Sequence, residues 1–355
     1  GLAVTLWVDD LGSFQRICPS VEPGLSHQQI LGVTIQRWDE DMPLLTLADA
    51  PDVLIEALAC TVPAPYLQQL ATLKPHAVWL NLEYLSAESW VEGCHGLASP
   101  QSDYPLAKYF FFPGFNPRTG GLLREQTLIA NLEAFQADTL AQQRFWQSLG
   151  FPDISAYQLK ISLFCYDQVS IAEFVEQLRK TKIPTLLLVP EGKIAEHIRQ
   201  LWPLLQQQEG LQLDRLHLVI LPFIPQQQYD YLLAACDINF VRGEDSIIRA
   251  QWAAQPFIWQ IYRQAEQAHH VKLSAFLAQY LASAPVELAT LLQTLHQRWD
   301  EESPLGDLWP ALVQNQQAIR IFNQQWRLFL SSQQDLATNL VRFAEKKFIM
   351  PRNFS

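Results

Sequence analysis

Phe240–Trp252, which reads FVRGEDSIIRAQW, is the stretch that indicates both the fold and the chemistry. The apolar run that ends at Val241 predicts a buried strand, and a helix-periodic pattern begins at Ile247. Between them lies a polar turn, 242–246, which contains a glycine. The first N–H groups of a helix have no intrahelical partner and carry the positive end of the helix dipole. A strand that leads into a helix through such a turn therefore predicts an anion site, and phosphate is its usual occupant.

Two interpretations of this turn stay open at the level of sequence. In the first, Arg242 supplies a cation and Ser246 a hydroxyl, so a diphosphate would be held from two sides. In the second, Asp245 or Ser246 simply caps the following helix and no ligand is involved.

Length, charge and cysteine content restrict the class of protein. A chain of 355 residues exceeds the roughly 250–300 residues at which single cores stop growing, so two domains are expected. The net charge of −11 argues against nucleic acid and anionic membranes as partners. No apolar run reaches the roughly 18 residues of a membrane span. The five cysteines are scattered and never spaced as CxxC, which predicts free thiols, no structural metal and a cytoplasmic location.

Short apolar segments alternate with helix-periodic segments along most of the chain. This order predicts an α/β fold in which parallel sheets are covered by helices on both faces. Ten strands are many for one such sheet, so we expect two Rossmann-like, doubly wound domains that face each other across a cleft. The predicted strands are Val4–Val8, Val33–Trp38, Val53–Glu56, Ala77–Leu82, Tyr109–Phe112, Leu159–Phe164, Thr185–Val189, Leu216–Ile220, Ile238–Val241 and Phe257–Trp259.

The division between the domains is predicted near residues 150–153, a Gly-Phe-Pro-Asp segment. Residues 1–155 would form the N-terminal domain and residues 156–331 the C-terminal domain. After Val286 the pattern is helical throughout, and a last helix at about 332–352 is expected to pack back on the first domain. Ligands of doubly wound folds bind at the carboxyl ends of the strands, which is where the turn 242–246 lies.

Two other predicted strands end in residues that suit a nucleotide. After Leu216–Ile220 comes LPFIPQ, in which an exposed Phe223 would stack on a nucleobase and the Gln226 amide would read its edge. The alternative is a proline-stiffened loop with a buried phenylalanine. Tyr166 follows the strand Leu159–Phe164 and would donate its hydroxyl to a phosphate, or would be a core tyrosine.

Three further segments receive structural or mixed interpretations. Asp9-Asp10 stands directly before a helical pattern, so helix capping is favoured over a metal or a general base. The loop Phe115–Glu125 would close over the cleft, touch an acceptor, or only connect two elements. His269-His270 are neighbours that we do not expect to face one site, and a structural role is predicted for both.

Several motifs together resemble one family. RGEDS, LPFIPQ, SLFCY, WVDDL and FFPGF with TGG, in this chain, are similar to motifs of the bacterial protein-arginine rhamnosyltransferases that modify translation elongation factor P. Val241–Leu273 is especially similar, and the resemblance covers essentially the whole chain. It implies an inverting glycosyltransferase of the two-domain GT-B type. The donor would be dTDP-β-L-rhamnose, the acceptor an arginine of elongation factor P, and neither a metal nor another cofactor would be needed.

The resemblance also implies roles for individual residues. Phe223 would stack on thymine, with Ile224 and Gln226 completing the base pocket. The ribose and diphosphate would be held by Tyr166, Arg242, Asp245 and Ser246. Glu244 occupies the position of an activity-critical carboxylate near the donor.

One part of the family pattern is expected to have no counterpart among these 355 residues. Members carry a strand and a loop, roughly V-x-D-N-[FY]-G-D, before the strand that corresponds to Val4–Val8. The aspartate of that loop is the family's presumed general base, and Asp9 and Asp10 belong to a different motif. Two alternatives therefore stay open: another nucleotide-sugar-dependent GT-B transferase, and a catalytically inactive module that binds nucleotide or elongation factor P.

Overall fold

The computed structural model describes residues 2–38, 44–101, 103–263 and 268–349. These residues form an α/β structure of three sheets with helices around them. In chain order the strands are β1 Val4–Val8, β2 His27–Ile30, β3 Val33–Arg37, β4 Val53–Ala57, β5 Val78–Leu82, β6 Ala98–Pro100, β7 Ala107–Phe111, β8 Leu159–Leu163, β9 Thr185–Pro190, β10 Gly210–Leu213, β11 Leu216–Leu221, β12 Ile238–Arg242 and β13 Phe257–Gln260. The α-helices are α1 Leu11–Ile17, α2 Ala64–Leu73, α3 Trp90–Cys94, α4 Leu128–Ala137, α5 Thr139–Ser148, α6 Ile171–Lys180, α7 Lys193–Leu201, α8 Gln226–Ala235, α9 Gly243–Ala253, α10 Ala268–Tyr280, α11 Val286–Asp300, α12 Leu308–Gln314, α13 Gln316–Ser331 and α14 Leu336–Ile349.

The second half of the chain is built on a six-stranded sheet with the order β10-β11-β9-β8-β12-β13. All neighbouring pairs are parallel except β10 with β11. Strands β9 and β12 lie inside the sheet and are almost wholly buried, because helices cover both faces. The carboxyl ends of β8, β11 and β12 therefore lie along one edge of this sheet, and each carries residues predicted to bind the donor.

The first half of the chain contains two sheets rather than the single doubly wound sheet that was predicted. One has the order β1-β3-β2 and the other the order β4-β5-β7-β6. The pairs β1 with β3, β4 with β5, and β5 with β7 are parallel, as the alternation of strands and helices indicated. Alternation predicts that strands run parallel, but it does not determine which of them are neighbours, so the division into two sheets was not predicted.

The last helix packs on the sheet of β4, β5, β6 and β7. Ala344 of α14 is buried against Leu80 and Tyr109, and the ring of Phe343 lies 5.5 Å from that of Tyr109. The terminal helix thus returns to the first half of the chain, as expected. The exact limits of the two domains stay a prediction, since α4, which precedes residue 155, packs against α8 and α9.

Helix length and the state of the cysteines were also considered in the sequence analysis. Among the described residues, no helix has both the length and the apolar character needed to cross a bilayer. The five cysteines, all of which are described, are free thiols. In the region after Val286, which the sequence predicts to be helical throughout, helices α12 and α13 meet at Asn315.

Candidate active site

The corner between β12 and α9 is tighter than the sequence indicated. Strand β12 ends at Arg242 and α9 begins at Gly243, so Glu244, Asp245 and Ser246 lie in the first helical turn and not in a separate turn. Gly243 has a φ of +63°, a value that favours glycine and permits the direct change from strand to helix. This corrects the predicted helix start.

The N-terminus of α9 has no side-chain cap. The residue at the N-cap position is Arg242, whose guanidinium has no acceptor atom and makes no capping hydrogen bond. Asp245 and Ser246 lie beyond this position, so the interpretation in which one of them is the N-cap residue was wrong. The first N–H groups of this 11-residue helix therefore receive no hydrogen bond from a capping side chain. Such N–H groups at the end of a strand are a favourable environment for an anion.

Arg242 is held in place by two aromatic rings. Its guanidinium carbon lies 4.5 Å from the centre of the Phe164 ring and 4.6 Å from that of Tyr166. Within the described residues, its Nε atom is buried and has no hydrogen-bond partner. These cation–π contacts hold the guanidinium at the corner, where it also makes a side-chain hydrogen bond with Tyr166.

Tyr166 lies beside the same corner. A Cβ atom at position 243 would be 3.2 Å from the Tyr166 hydroxyl, so glycine at 243 allows the close approach of this side chain. Burial raises the pKa of the Tyr166 hydroxyl, and Arg242 partly opposes this. The hydroxyl is therefore protonated at neutral pH and is a hydrogen-bond donor. The predicted pair of Arg242 and Tyr166 is brought together by the fold.

Glu244 connects the corner to the first half of the chain. Its Oε2 atom accepts a hydrogen bond of 2.9 Å from the N–H of Leu85, which lies just beyond the carboxyl end of β5. Burial raises the pKa of the Glu244 carboxyl, while this hydrogen bond and Lys272 lower it. The carboxylate thus lies where the two halves of the chain meet.

The predicted base-binding residues occupy the loop after β11. Phe223 is 56% exposed, so the interpretation as a buried phenylalanine was wrong and its ring is free to stack. Ile224 is half-buried and packs against the main core. Gln226 is the first residue of α8 and is also half-buried.

A charged cluster that the sequence analysis missed joins this loop to the corner. Gln226 Nε2 lies 3.5 Å from Asp230 Oδ1, and Asp230 Oδ2 lies 3.4 Å from Arg249 Nη1. Arg249 Nε is in turn 3.6 Å from Asp245 Oδ1. The i,i+4 spacings of Gln226 with Asp230 and of Asp245 with Arg249 were the available signal. Asp245 is drawn toward Arg249, and Ser246 is buried.

The loop Phe115–Glu125 is a fixed connection. Glu125 forms a two-pronged ion pair with Arg249, with distances of 2.6 and 2.7 Å. The Leu123 carbonyl accepts a hydrogen bond from Trp252 Nε1, and the Phe115 carbonyl accepts one from Gln333 Nε2. Of the three interpretations of this loop, the structure supports the connecting role.

Two residues near Tyr166 were not singled out by sequence. Gln260, at the end of β13, accepts a 2.7 Å hydrogen bond from the Tyr166 N–H through its Oε1 atom. The ring of Tyr262 is 63% exposed and lies 5.5 Å from the Tyr166 ring. Gln260 ends β13 and Tyr262 follows it, at the sheet edge that also carries Tyr166. Position after a predicted strand was the signal by which the sequence could have identified them.

Of the remaining sequence predictions, one is confirmed and one is wrong. The capping role of Asp10 is confirmed, because its side chain accepts hydrogen bonds from the N–H groups of Gly12 and Ser13. The expectation that His269 and His270 cannot face one site was wrong: with Asp300 they form a group whose potential ligand atoms lie within 4.8 Å of one another. The two histidines lie in the first turn of α10, where the backbone brings both rings to the end of α11.

A mostly parallel six-stranded sheet with an uncapped helix N-terminus at its carboxyl edge, in contact with a second sheet-containing half, is the architecture of the GT-B class of glycosyltransferases. The chain is similar to a solved structure that gives the structural basis for EarP-mediated arginine glycosylation of translation elongation factor EF-P. The TM-score is 0.61 and the identity 29%, over 83% of this chain and 98% of that one.

The chain belongs to the EarP family, described as Elongation-Factor P (EF-P) rhamnosyltransferases, whose family model matches residues 1–345. It is 42% identical to the protein-arginine rhamnosyltransferase of Pseudomonas putida over 348 residues. It is also 43% identical to that of Pseudomonas aeruginosa and 40% identical to that of Shewanella oneidensis. Each alignment covers 97% of this chain and 90% of the relative. The family, the GT-B fold and the enzyme class predicted from the resemblance are confirmed.

Proposed function

We propose that this enzyme transfers L-rhamnose from dTDP-β-L-rhamnose to an arginine side chain of elongation factor P, with inversion at the anomeric carbon. The observation that carries the donor assignment is the uncapped N-terminus of α9 with Arg242 and Tyr166 beside it. Two cooperating donors and a helix dipole suit a nucleoside diphosphate, whose two negative charges need several positive partners.

The nucleotide end of the donor is proposed to lie against the loop after β11. The exposed ring of Phe223 would stack on thymine, and Ile224 and Gln226 would close the pocket around the base. The cluster of Asp230, Arg249 and Asp245 holds this loop and the diphosphate corner at a fixed separation. This arrangement supports one extended nucleotide that spans both.

The chemistry proposed is a direct displacement. A guanidinium nitrogen of the acceptor attacks the anomeric carbon from the face opposite dTDP, the bond from that carbon to the phosphate oxygen breaks, and dTDP leaves with the electron pair. The attacking nitrogen gives one proton to a carboxylate base. Because arginine has a pKa above about 12, a carboxylate is needed to orient the guanidinium and accept this proton, and we propose Glu244, which lies where the two halves of the chain meet, for this role.

The leaving group is stabilised by the same donors that bind it. As the bond to the anomeric carbon breaks, negative charge increases on the diphosphate, where Arg242, Tyr166 and the N–H groups of α9 donate. Such prearranged donors contribute several kcal/mol to transition-state stabilisation. These groups supply the charge that a metal ion provides in other transferases, so we propose a mechanism with no metal cofactor.

The family supports the proposed acceptor, and the cellular location and the type of partner are proposed with it. The relatives are protein-arginine rhamnosyltransferases, and the matching solved structure concerns arginine glycosylation of EF-P. We propose EF-P as the protein partner, action in the cytoplasm, and no nucleic-acid or membrane partner, in keeping with the net charge of −11.

The test is intact-mass analysis of purified EF-P after incubation with this protein and dTDP-L-rhamnose. We expect one added deoxyhexose on a single arginine, and no addition with UDP-glucose as donor. Calorimetry with each donor separates the rival functions. Transfer from UDP-glucose and not from dTDP-L-rhamnose would indicate another nucleotide-sugar transferase. Donor binding without transfer would indicate an inactive binding module, and the absence of both would refute the proposal.

A further inference from the structure

Two adjacent histidines and a buried aspartate meet at the junction of α10 and α11. His270 Nδ1 lies 3.1 Å from Asp300 Oδ2, and the rings of His269 and His270 are 4.1 Å apart. One potential ligand atom from each of the three residues lies within 4.8 Å of the other two. His269 and Asp300 are buried, while His270 is partly exposed, so solvent reaches the group from one side.

Asp300 is a carboxylate in an environment that disfavours its charge. It is the last residue of α11, where the helix dipole is negative, and its exposure is 2%. Its Oδ2 atom lies 3.1 Å from His270 Nδ1, and the Ile261 N–H also approaches the carboxylate. A buried carboxylate is stabilised when a cation lies beside it.

The two histidines bring imidazole nitrogens to this carboxylate. Both lie in the first turn of α10, and their ring centres are 4.1 Å apart. A neutral imidazole is a ligand for transition metals.

We propose that His269, His270 and Asp300 bind one divalent first-row transition-metal ion, with Zn²⁺ as the representative of this class. Two imidazoles and one carboxylate are a ligand set that such ions accept, with a fourth position left for water. Ligand atoms on a tetrahedral Zn²⁺ are about 3.3 Å apart, given bonds of about 2.0–2.1 Å. The potential ligand atoms lie within 4.8 Å of one another, so they must approach by at most about 1.5 Å to reach this spacing.

The ion would act as a structural clasp and not as part of the transfer reaction. It would join the start of α10 to the end of α11, next to the point where Arg263 pairs with Glu302 at 2.8 Å. Tyr262 immediately precedes this point and its ring contacts Tyr166 in the donor site. The proposal does not depend on the proposed function, because it concerns a site separate from the diphosphate corner.

The experiment uses the full chain, freed of any affinity tag and stripped of metal with a chelator, and Zn²⁺ titration by calorimetry. The variants are His270→Gln, at a partly exposed position, and Asp300→Asn, which preserves shape. His76→Gln, at an exposed histidine elsewhere, is the matched control. Co²⁺ substitution gives an independent readout, since its visible spectrum distinguishes imidazole and carboxylate ligands from thiolates.

We expect one Zn²⁺ per chain for the wild type and for His76→Gln, and at least tenfold weaker binding for His270→Gln and Asp300→Asn. We also expect Zn²⁺ to raise the melting temperature of the wild type and not that of His270→Gln, because only the native state holds the ligands together. If the wild type binds no stoichiometric ion, the proposal is wrong. Undiminished binding in both cluster variants, or a thiolate spectrum with Co²⁺, overturns it equally.

Discussion

The backbone N–H of Leu85 donates a 2.9 Å hydrogen bond to Oε2 of Glu244, although 159 positions separate the two residues in sequence. Leu85 follows the carboxyl end of β5, and Glu244 lies in the first turn of α9. The carboxylate at the donor site is thus held by the opposite half of the chain. Any change in the separation of the halves alters the position and the pKa of this carboxylate.

We predict that transfer depends on the ionised form of Glu244. Burial raises the pKa of this carboxyl, so it loses its charge at a higher pH than an exposed glutamate does. The turnover rate should therefore fall as the pH decreases from neutral into the acidic range, and at a higher pH than an exposed glutamate would give. Glu244→Gln should reduce the rate at pH 7 by about 100-fold or more and remove this pH dependence.

Single-turnover assays across this pH range, with product mass as the readout, provide the measurement. Glu287→Gln, at an exposed position in the first turn of α11, is the control. Unchanged pH dependence in Glu244→Gln would show that another group controls the reaction.

Removal of the guanidinium at position 242 should weaken donor binding. Arg242→Met keeps the apolar stem of the side chain and removes the guanidinium that lies over the rings of Phe164 and Tyr166. Charged hydrogen bonds contribute about 1.5–3 kcal/mol, so the affinity for dTDP should fall by about 10- to 150-fold. Calorimetry measures this directly, with Arg16→Met on the surface of α1 as the control. Equal affinity in wild type and Arg242→Met would remove the basis of the diphosphate site.

The aromatic ring at position 223 should be needed for binding and not for folding. Phe223→Ala should weaken dTDP binding by about 5- to 150-fold, the effect of losing one stacking contact of about 1–3 kcal/mol. The melting temperature should hardly change, because the ring is 56% exposed. Phe329→Ala, at a 47% exposed phenylalanine of α13, should leave both quantities unaltered. A large loss of stability in Phe223→Ala would instead assign the ring to the core.

Arg249 should be essential for stability. Its buried guanidinium neutralises Glu125, Asp230 and Asp245, which belong to the loop before α4 and to helices α8 and α9. Arg249→Met leaves these carboxylates without their cation and should destabilise the protein by about 3–5 kcal/mol. Urea unfolding monitored by circular dichroism gives the value. A loss below about 1 kcal/mol would mean that the cluster contributes little to the fold.

The pH dependence of stability should reveal Asp230. Burial raises the pKa of this carboxyl to about 6, above its ordinary value of 3.8, despite the opposing effect of Arg249. Between these two pH values the folded state binds more protons than the unfolded state, so the contribution of Asp230 to stability falls as the pH rises. Relative to Asp230→Asn, the wild type should lose on the order of 1–3 kcal/mol between about pH 4 and pH 7. Parallel stability curves for the two proteins would contradict this assignment.

The strands that sequence missed have a common position in the fold. β2, β6 and β10 are all edge strands, and each is antiparallel to its neighbour. The predicted strands are short apolar runs, whereas an edge strand such as His27–Ile30 is half exposed and contains polar residues. Continuous apolar runs, the signal used for prediction, do not occur where one side of a strand faces water.

The sequence by itself determined the alternation of parallel strands and helices and the family, and it predicted the residues of a donor site along the chain. These depend on local patterns: buried β-branched runs, a glycine at the strand-to-helix corner, and short motifs in a fixed order. Only the tertiary structure decided which distant side chains meet. The hydrogen bond from Leu85 to Glu244, the charges around Arg249, and the convergence of His269 and His270 on Asp300 each join elements that are far apart in sequence. Such contacts arise from the packing of helices and sheets, for which sequence spacing carries no signal.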